Sequence, residues 1–235
     1  MEYKNLPIVS LGKYPIRYCI ASCPRSATRY IATILNDMGL NCGHEQYFTP
    51  QENILNSIIP YFGDSSWLSI PFLDRLPKEA VLFHQTRDPL KTINSCLTAG
   101  KRGRFGSYNK EIEPSYPWFA FHWHHSLDWD WPDNTPLGME NYWYYKWHSL
   151  IDDAGERHVQ RGGTYFRYRI EDIGVDLLSQ IYEILGQDFS PEKAQSVLDR
   201  VHKTVNKRGN PADYTSEVLT DLVKELAQSY GYDYL

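Results

Sequence analysis

The segment Pro24-Arg25-Ser26-Ala27-Thr28-Arg29 joins residue types suited to holding an anion. A proline turn that opens a helix gathers successive backbone N–H groups at the helix N-terminus, and Arg25 and Arg29 add guanidinium groups to the same point. Phosphate and sulfate fit such a cradle. An ordinary strand-to-helix turn with surface arginines has the same letters. The GxxxxGK(S/T) pattern is absent, so no lysine follows a glycine to reach a β,γ-bridged triphosphate. A second cluster, His122-Trp123-His124-His125 with Asp128 and Asp130, raises the question of zinc or another transition metal. Its spacing fits no zinc template, and the Trp and Tyr around it favour a packed or substrate-facing aromatic lid. His122, Trp123 and His124 are then candidate acceptor contacts, and no metal site is expected.

These groups need elements to position them. Residues 16–22 read as a short buried strand, with Cys23-Pro24-Arg25-Ser26 as the turn behind it. Tyr30, Ile31, Ile34, Leu35 and Met38 lie on one face of a following helix, Gly39 terminates it, and Ser26 or Thr28 is available as N-cap. The unit recurs: Ala80 to Thr86 reads as a strand, Arg87-Asp88-Pro89 as a turn, and Ile93 and Leu97 mark a helix running to Gly100. A third strand is expected at 164–170, with helices at 139–153, 175–185, 191–203 and 215–229. Strands alternating with helices predict a three-layer α/β fold, a mainly parallel central sheet flanked by helices, with its ligand crevice beyond the carboxyl ends of the strands. Residues 101–138 lack a steady period and read as a long loop or lid facing the substrate.

Composition narrows the classes. With 235 residues, 42% hydrophobic and 23% charged, one domain over 1–235 is the simplest organisation. A net charge of −5 argues against general nucleic-acid binding, so any anion site must be local. Lys13, Arg17 and Arg25 interrupt the N-terminal region, and no later run is long enough to span a bilayer, so neither a secretory signal nor a membrane span is expected. Cys19, Cys23, Cys42 and Cys96 show no paired spacing, which fits a reducing cytoplasm. The aromatic share of 14% is high and suits a core or a site for flat or sugar-like ligands.

Pro24-Arg25-Ser26-Ala27-Thr28 resembles the 5′-phosphosulfate loop of sulfotransferases that use 3′-phosphoadenosine-5′-phosphosulfate (PAPS), usually Pro-Lys/Arg-Ser-Gly-Thr. That family pairs the loop with an Arg and a Ser eight residues apart that hold the 3′-phosphate, and Arg87 and Ser95 have this spacing. The resemblance extends, in order, over most of the chain. Gly43-His44-Glu45 lies where many members carry a catalytic base, Glu171-Asp172 resembles the family's Glu-Asp strand end, and Tyr230-Gly231-Tyr232 resembles a common ending. Lys207-Arg208-Gly209 resembles the Arg-Lys-Gly that closes over the 3′-phosphate.

The resemblance implies a P-loop-like sulfotransferase fold and transfer of a sulfuryl group from PAPS to an acceptor hydroxyl or amine, leaving PAP, without a metal. The acceptor is a small molecule or a glycan, the latter favoured only weakly by the aromatic segment. Pro24 to Tyr30, Arg87, Ser95 and Lys207 to Gly209 would bind the nucleotide, and Arg25 would also stabilise the leaving phosphate. Glu45 or His44 would take the acceptor proton. Three departures stand out: Ala27 replaces the usual Gly, Arg29 replaces a hydroxyl residue, and Ile170 sits where some members have a Tyr before Glu-Asp, while Tyr30 occupies the position of a common adenine-stacking aromatic and suits the core equally. The competing readings are a P-loop-like kinase, which would want the missing lysine loop, and a degenerate family member that binds a nucleotide or carbohydrate without turnover.

Overall fold

Tyr18-Cys19-Ile20-Ala21 and Val81-Leu82-Phe83 have no polar face, which suits strands covered by helices on both sides. The computed structural model describes residues 16–48, 62–99, 135–201 and 214–234. In chain order the elements are β1 (Tyr18–Ser22), α1 (Thr28–Met38), β2 (Cys42–His44), β3 (Gly63–Ser66), β4 (Val81–Thr86), α2 (Pro89–Ala99), α3 (Pro136–Gln160), β5 (Thr164–Arg169), α4 (Val175–Ile184), α5 (Pro191–Val201) and α6 (Asp221–Ser229). Short 3₁₀ segments lie at Trp67–Arg75, Ile170–Asp172 and Ser216–Val218. The five strands form one sheet in the order β2-β3-β1-β4-β5, and every pairing is parallel.

The period of two along each strand divides the core. Tyr18, Ile20, Val81 and Phe83 pack with Ile31, Ile34 and Leu35 of α1, Leu178 and Ile181 of α4 and Val197 of α5. Cys19, Ala21 and Leu82 face the other way, towards Trp67 and Leu73, Ile93 of α2, Trp143, Trp147 and Ile151 of α3 and Val223 of α6. The three-layer α/β fold expected from the sequence is the one observed.

Three details differ from expectation. The N-cap of α1 is Ala27, with φ 66 and no side-chain cap, rather than Ser26 or Thr28. The helix placed at 139–153 runs from Pro136 to Gln160, with the Thr135 side chain accepting from Gly138 N, so its first turn takes up 136–138 of the expected lid. The remainder of that segment, 101–134 with His122, Trp123 and His124, lies outside the described residues. Two strands, β2 and β3, had no counterpart in the reading. Among the described residues no helix is long and apolar enough to cross a membrane.

The α3 face of the sheet encloses a polar chain. His84 and His148 are fully buried, and His84 Nε2 lies 2.7 Å from His148 Nδ1. His84 Nδ1 lies 3.0 Å from Asp152 Oδ1, and Asp152 also accepts from the hydroxyls of Tyr165 and Tyr230 and from Arg167. Burial pushes both imidazoles below their ordinary range, His148 further because His84 adjoins it. The unfolded chain then binds more protons than the native state once pH drops below about 6.5, so stability falls with acid from there. Thermal unfolding across a pH series should show Tm falling from about pH 6.5 to about pH 5, with a shallower slope in His148→Gln. A slope unchanged by that substitution would remove His148 as its source.

Candidate functional site

The chain leaves β1 towards β2 on one side of the sheet and leaves β4 towards β5 on the other, although β1 and β4 are neighbours. Such a reversal opens a crevice at the carboxyl ends of the two strands. Ser22 pairs with Gln85 at the end of this ladder, so the turn after β1 and the turn after β4 emerge side by side.

The first turn is tightly held. Arg25 and Ala27 are both left-handed, with φ 69 and 66, and Ser26 N donates to Cys23 O at 3.2 Å. The Gln85 side-chain amide donates to Ser26 O, and the buried Tyr168 hydroxyl in turn donates to Gln85 Oε1 at 2.8 Å. Neither Gln85 nor Tyr168 stood out in the sequence, because a polar residue inside a strand carries no signal of the loop it will meet. The N-terminus of α1 follows directly, and its first amides have no partner within the helix. The Ser26 hydroxyl is fully buried and has no hydrogen-bond partner among the described residues.

The second turn brings its groups onto the first. Arg87 Nη1 donates to Arg25 O at 2.6 Å, and Arg25 Nε donates to Ser95 Oγ at 3.0 Å, across 62 and 70 residues of sequence. Arg25, Arg87 and Ser95 are therefore one cluster. Ser95 lies on α2, and the turn between β4 and α2 folds that helix back far enough for both ends of the Arg87/Ser95 pair to reach Arg25. Burial lowers the Arg87 pKa, Arg25 adds to the effect, and the Glu171 carboxylate works against it. Two guanidinium groups this close in a half-buried crevice repel one another, and a shared anion removes that repulsion.

Supports surround the cluster. Tyr144 OH donates to Arg87 O at 2.8 Å from α3. Glu171 accepts from Asp88 N at 3.0 Å and from Tyr232 OH at 2.9 Å, which ties the strand end, the second turn and the chain's last segment together. Asp172 instead pairs with Arg169 at 2.7 Å.

His44 ends β2 and Glu45 follows it with φ 59. His44 Nε2 lies 3.1 Å from Thr28 Oγ1 and 3.5 Å from Glu45 Oε1, which joins both candidate bases to the start of α1. Burial, and after it the charge of Arg29, lower the His44 pKa to about 4. Arg29 itself is exposed, and Tyr30 is half-buried at the edge of the α1 core. Lys207, Arg208 and Gly209 lie outside the described residues, and no metal-binding group of three or more His, Cys, Asp or Glu occurs among those described.

No family model matches the chain. No curated protein matches it either. The solved structures similar to it include a sulfotransferase from Alicyclobacillus acidocaldarius, at 13% identity over 92% of this chain and 91% of that one with a TM-score of 0.44, and the mouse sulfotransferase SULT7A1 complexed with PAP, at 14% identity over 96% and 79% with a TM-score of 0.46.

Ala27 carries a cost that can be measured. A left-handed φ of 66 suits glycine better than alanine by about 1 kcal/mol. Ala27→Gly should stabilise the protein by about that amount in urea unfolding, whereas Ala32→Gly inside α1 should destabilise it by a similar amount. If both substitutions destabilise equally, Ala27 is not strained.

Proposed function

We propose that the chain is a PAPS-dependent sulfotransferase. The observation that carries this reading is the meeting of Arg25 and Arg87 at the sheet's switch point, beside a buried Ser26 hydroxyl that lacks a partner among the described residues. The residues fit a nucleotide carrying two separate phosphate groups. Pro24 to Thr28 and the amides opening α1 would hold the 5′ end, with Arg29 available at its rim, and Arg87 with Ser95 would hold the 3′-phosphate. Lys207, Arg208 and Gly209 are proposed to complete that subsite. Half-buried Tyr30 lies near the start of α1, where an adenine contact is proposed.

Sulfuryl transfer forms a bond from the acceptor oxygen or nitrogen to sulfur and breaks the bond from sulfur to the phosphate oxygen, so PAP departs with the bonding electrons. The protein's tasks are to align the groups, take the acceptor proton and neutralise the departing phosphate. Arg25 is assigned the last of these. Glu45 is the proposed base and His44 its rival: both stand beside Thr28 at the end of β2, and the lowering of the His44 pKa to about 4 brings its basicity down to the ordinary carboxylate range, not below it. His44, hydrogen-bonded to Thr28 and 3.5 Å from Glu45 Oε1, is then assigned the positioning of that carboxylate. The acceptor is proposed to be a small molecule or a glycan, contacted by His122, Trp123 and His124, and the protein to work in the cytoplasm. No step calls for a metal, since there is no β,γ-bridge to neutralise.

Isothermal titration with PAP in the presence of EDTA tests the reading. PAP should bind without Mg²⁺, whereas a response confined to Mg-ATP would favour a kinase. In a mass-spectrometric screen of phenols, sugars and amines with PAPS, Glu45→Ala should lower product formation by about a hundredfold or more while PAP still binds. Binding without turnover on any acceptor, unaffected by Glu45→Ala and His44→Ala, would show a binding module.

A further inference from the structure

Asp64 lies on β3, fully buried, in a strand of sequence Gly-Asp-Ser-Ser. Its carboxylate faces backbone amides. Gln46 N donates to Oδ1 at 3.2 Å and to Oδ2 at 3.1 Å, and Tyr47 N donates to Oδ2 at 3.1 Å. These amides come immediately after Glu45, whose own N–H donates to Ser65 O at 3.3 Å. The left-handed turn that carries His44 and Glu45 is thus fastened to β3 at successive residues.

Gly43 makes room for this arrangement. It pairs with Asp64 in the ladder, and a Cβ at position 43 would stand 2.7 Å from Asp64 Oδ1 and 3.1 Å from Gln46 Cβ. Glycine is the residue that lets a carboxylate reach over its neighbour to the amides beyond. The surroundings are otherwise unwelcoming to charge: Tyr18 and Cys19 of β1, Cys42 of β2, and Glu45 and Tyr47 of the turn all lie close enough to interact electrostatically with the carboxyl. Burial pushes the Asp64 pKa up to about 7, while the amides of Gln46 and Tyr47 pull it down. A buried acid kept in such a place, with amides as its hydrogen-bond partners, holds a turn rather than an ion pair.

We propose that Asp64, admitted by Gly43, is the positioning residue that sets the orientation of His44 and Glu45 for proton transfer. The inference rests on the sulfotransferase reading, in which Glu45 is the base. Asp64 touches no reacting atom. It acts through the backbone of the turn, and its hydrogen bonds go to Gln46 and Tyr47, not to Arg25, Arg87 or Ser95.

The test uses the full chain carrying Asp64→Asn, which keeps the size but turns donors towards the amides, and Gly43→Ala, which keeps the charge but crowds the carboxylate. Three readouts are made: the NMR titration of the His44 ring, assigned with His44→Gln; PAP affinity by calorimetry; and PAP formation from PAPS with an acceptor found in the screen. In either folded variant the His44 midpoint should climb from about 4 by at least about one pH unit towards its ordinary 6.5 as the turn loosens. PAP formation should fall about tenfold or more, with PAP affinity within about twofold of wild type. An unmoved His44 midpoint overturns the proposal, as does a loss of PAP affinity matching the loss of turnover. If Asp64→Asn does not fold, Gly43→Ala decides by the same criteria. Failure of wild type to bind PAP would defeat the sulfotransferase reading instead, and the His44 titration would then judge Asp64's hold on the turn by itself.

Discussion

The ladder between β1 and β4 determines most of what this molecule can do. Its last pair, Ser22 and Gln85, sets two turns from distant parts of the chain next to each other, and each turn carries an arginine. The backbone pairing keeps the two turns side by side, and the hydrogen bonds from Arg87 to Arg25 O and from Arg25 to Ser95 hold the two arginine side chains at that point. The repulsion is therefore built in, and it is tolerable because the Arg25 carbonyl, the Ser95 hydroxyl and the nearby Glu171 carboxylate accept or balance part of the charge. What they leave unmet, together with the Ser26 hydroxyl that lacks a partner among the described residues and the opening amides of α1, is what the proposed anion would satisfy.

Behind this front, rigidity comes from buried polar contacts as much as from apolar packing. Gln85 and Tyr168 lock the loop from within the sheet, Tyr144 locks Arg87 from α3, and Tyr232 locks Glu171 from the chain's last segment. The Gln85 and Tyr168 bonds lie in a dry setting, where leaving one partner unpaired costs about 1–3 kcal/mol. The site thus inherits its precision from the core, and the aromatic-rich composition finds a second use, because tyrosine spans the apolar interior and ends in a hydroxyl.

The sequence made the central machinery legible where residue type and geometry coincide. Apolar runs marked β1 and β4, and Pro24 and Pro89 with the arginines before or after them marked the turns. The spacing of Arg87 and Ser95 anticipated a shared locus, and both do reach Arg25. Legibility failed where burial is purchased with polar groups. Gly63 to Ser66 is a fully buried strand without one large apolar side chain, since Asp64 binds turn amides and Ser66 caps the following 3₁₀ segment through Leu68 N. Likewise, hydroxyl residues on both sides pointed to a side-chain cap for α1, but the loop's own curvature put Ala27 at that position. Nor could the letters rank His44 against Glu45, because His44's basicity depends on burial and on Arg29, which only the fold brings near.

A comparison of two nucleotides on one variant reaches the core of this account. Calorimetry of Arg87→Ala with adenosine 3′,5′-bisphosphate and with adenosine 5′-monophosphate asks whether Arg87 answers to the 3′-phosphate alone. The account predicts a loss of about tenfold to a hundredfold for the bisphosphate, the size of one charge-assisted hydrogen bond of about 1.5–3 kcal/mol, and almost none for the monophosphate. Equal losses for the two nucleotides, or no loss for either, would contradict it.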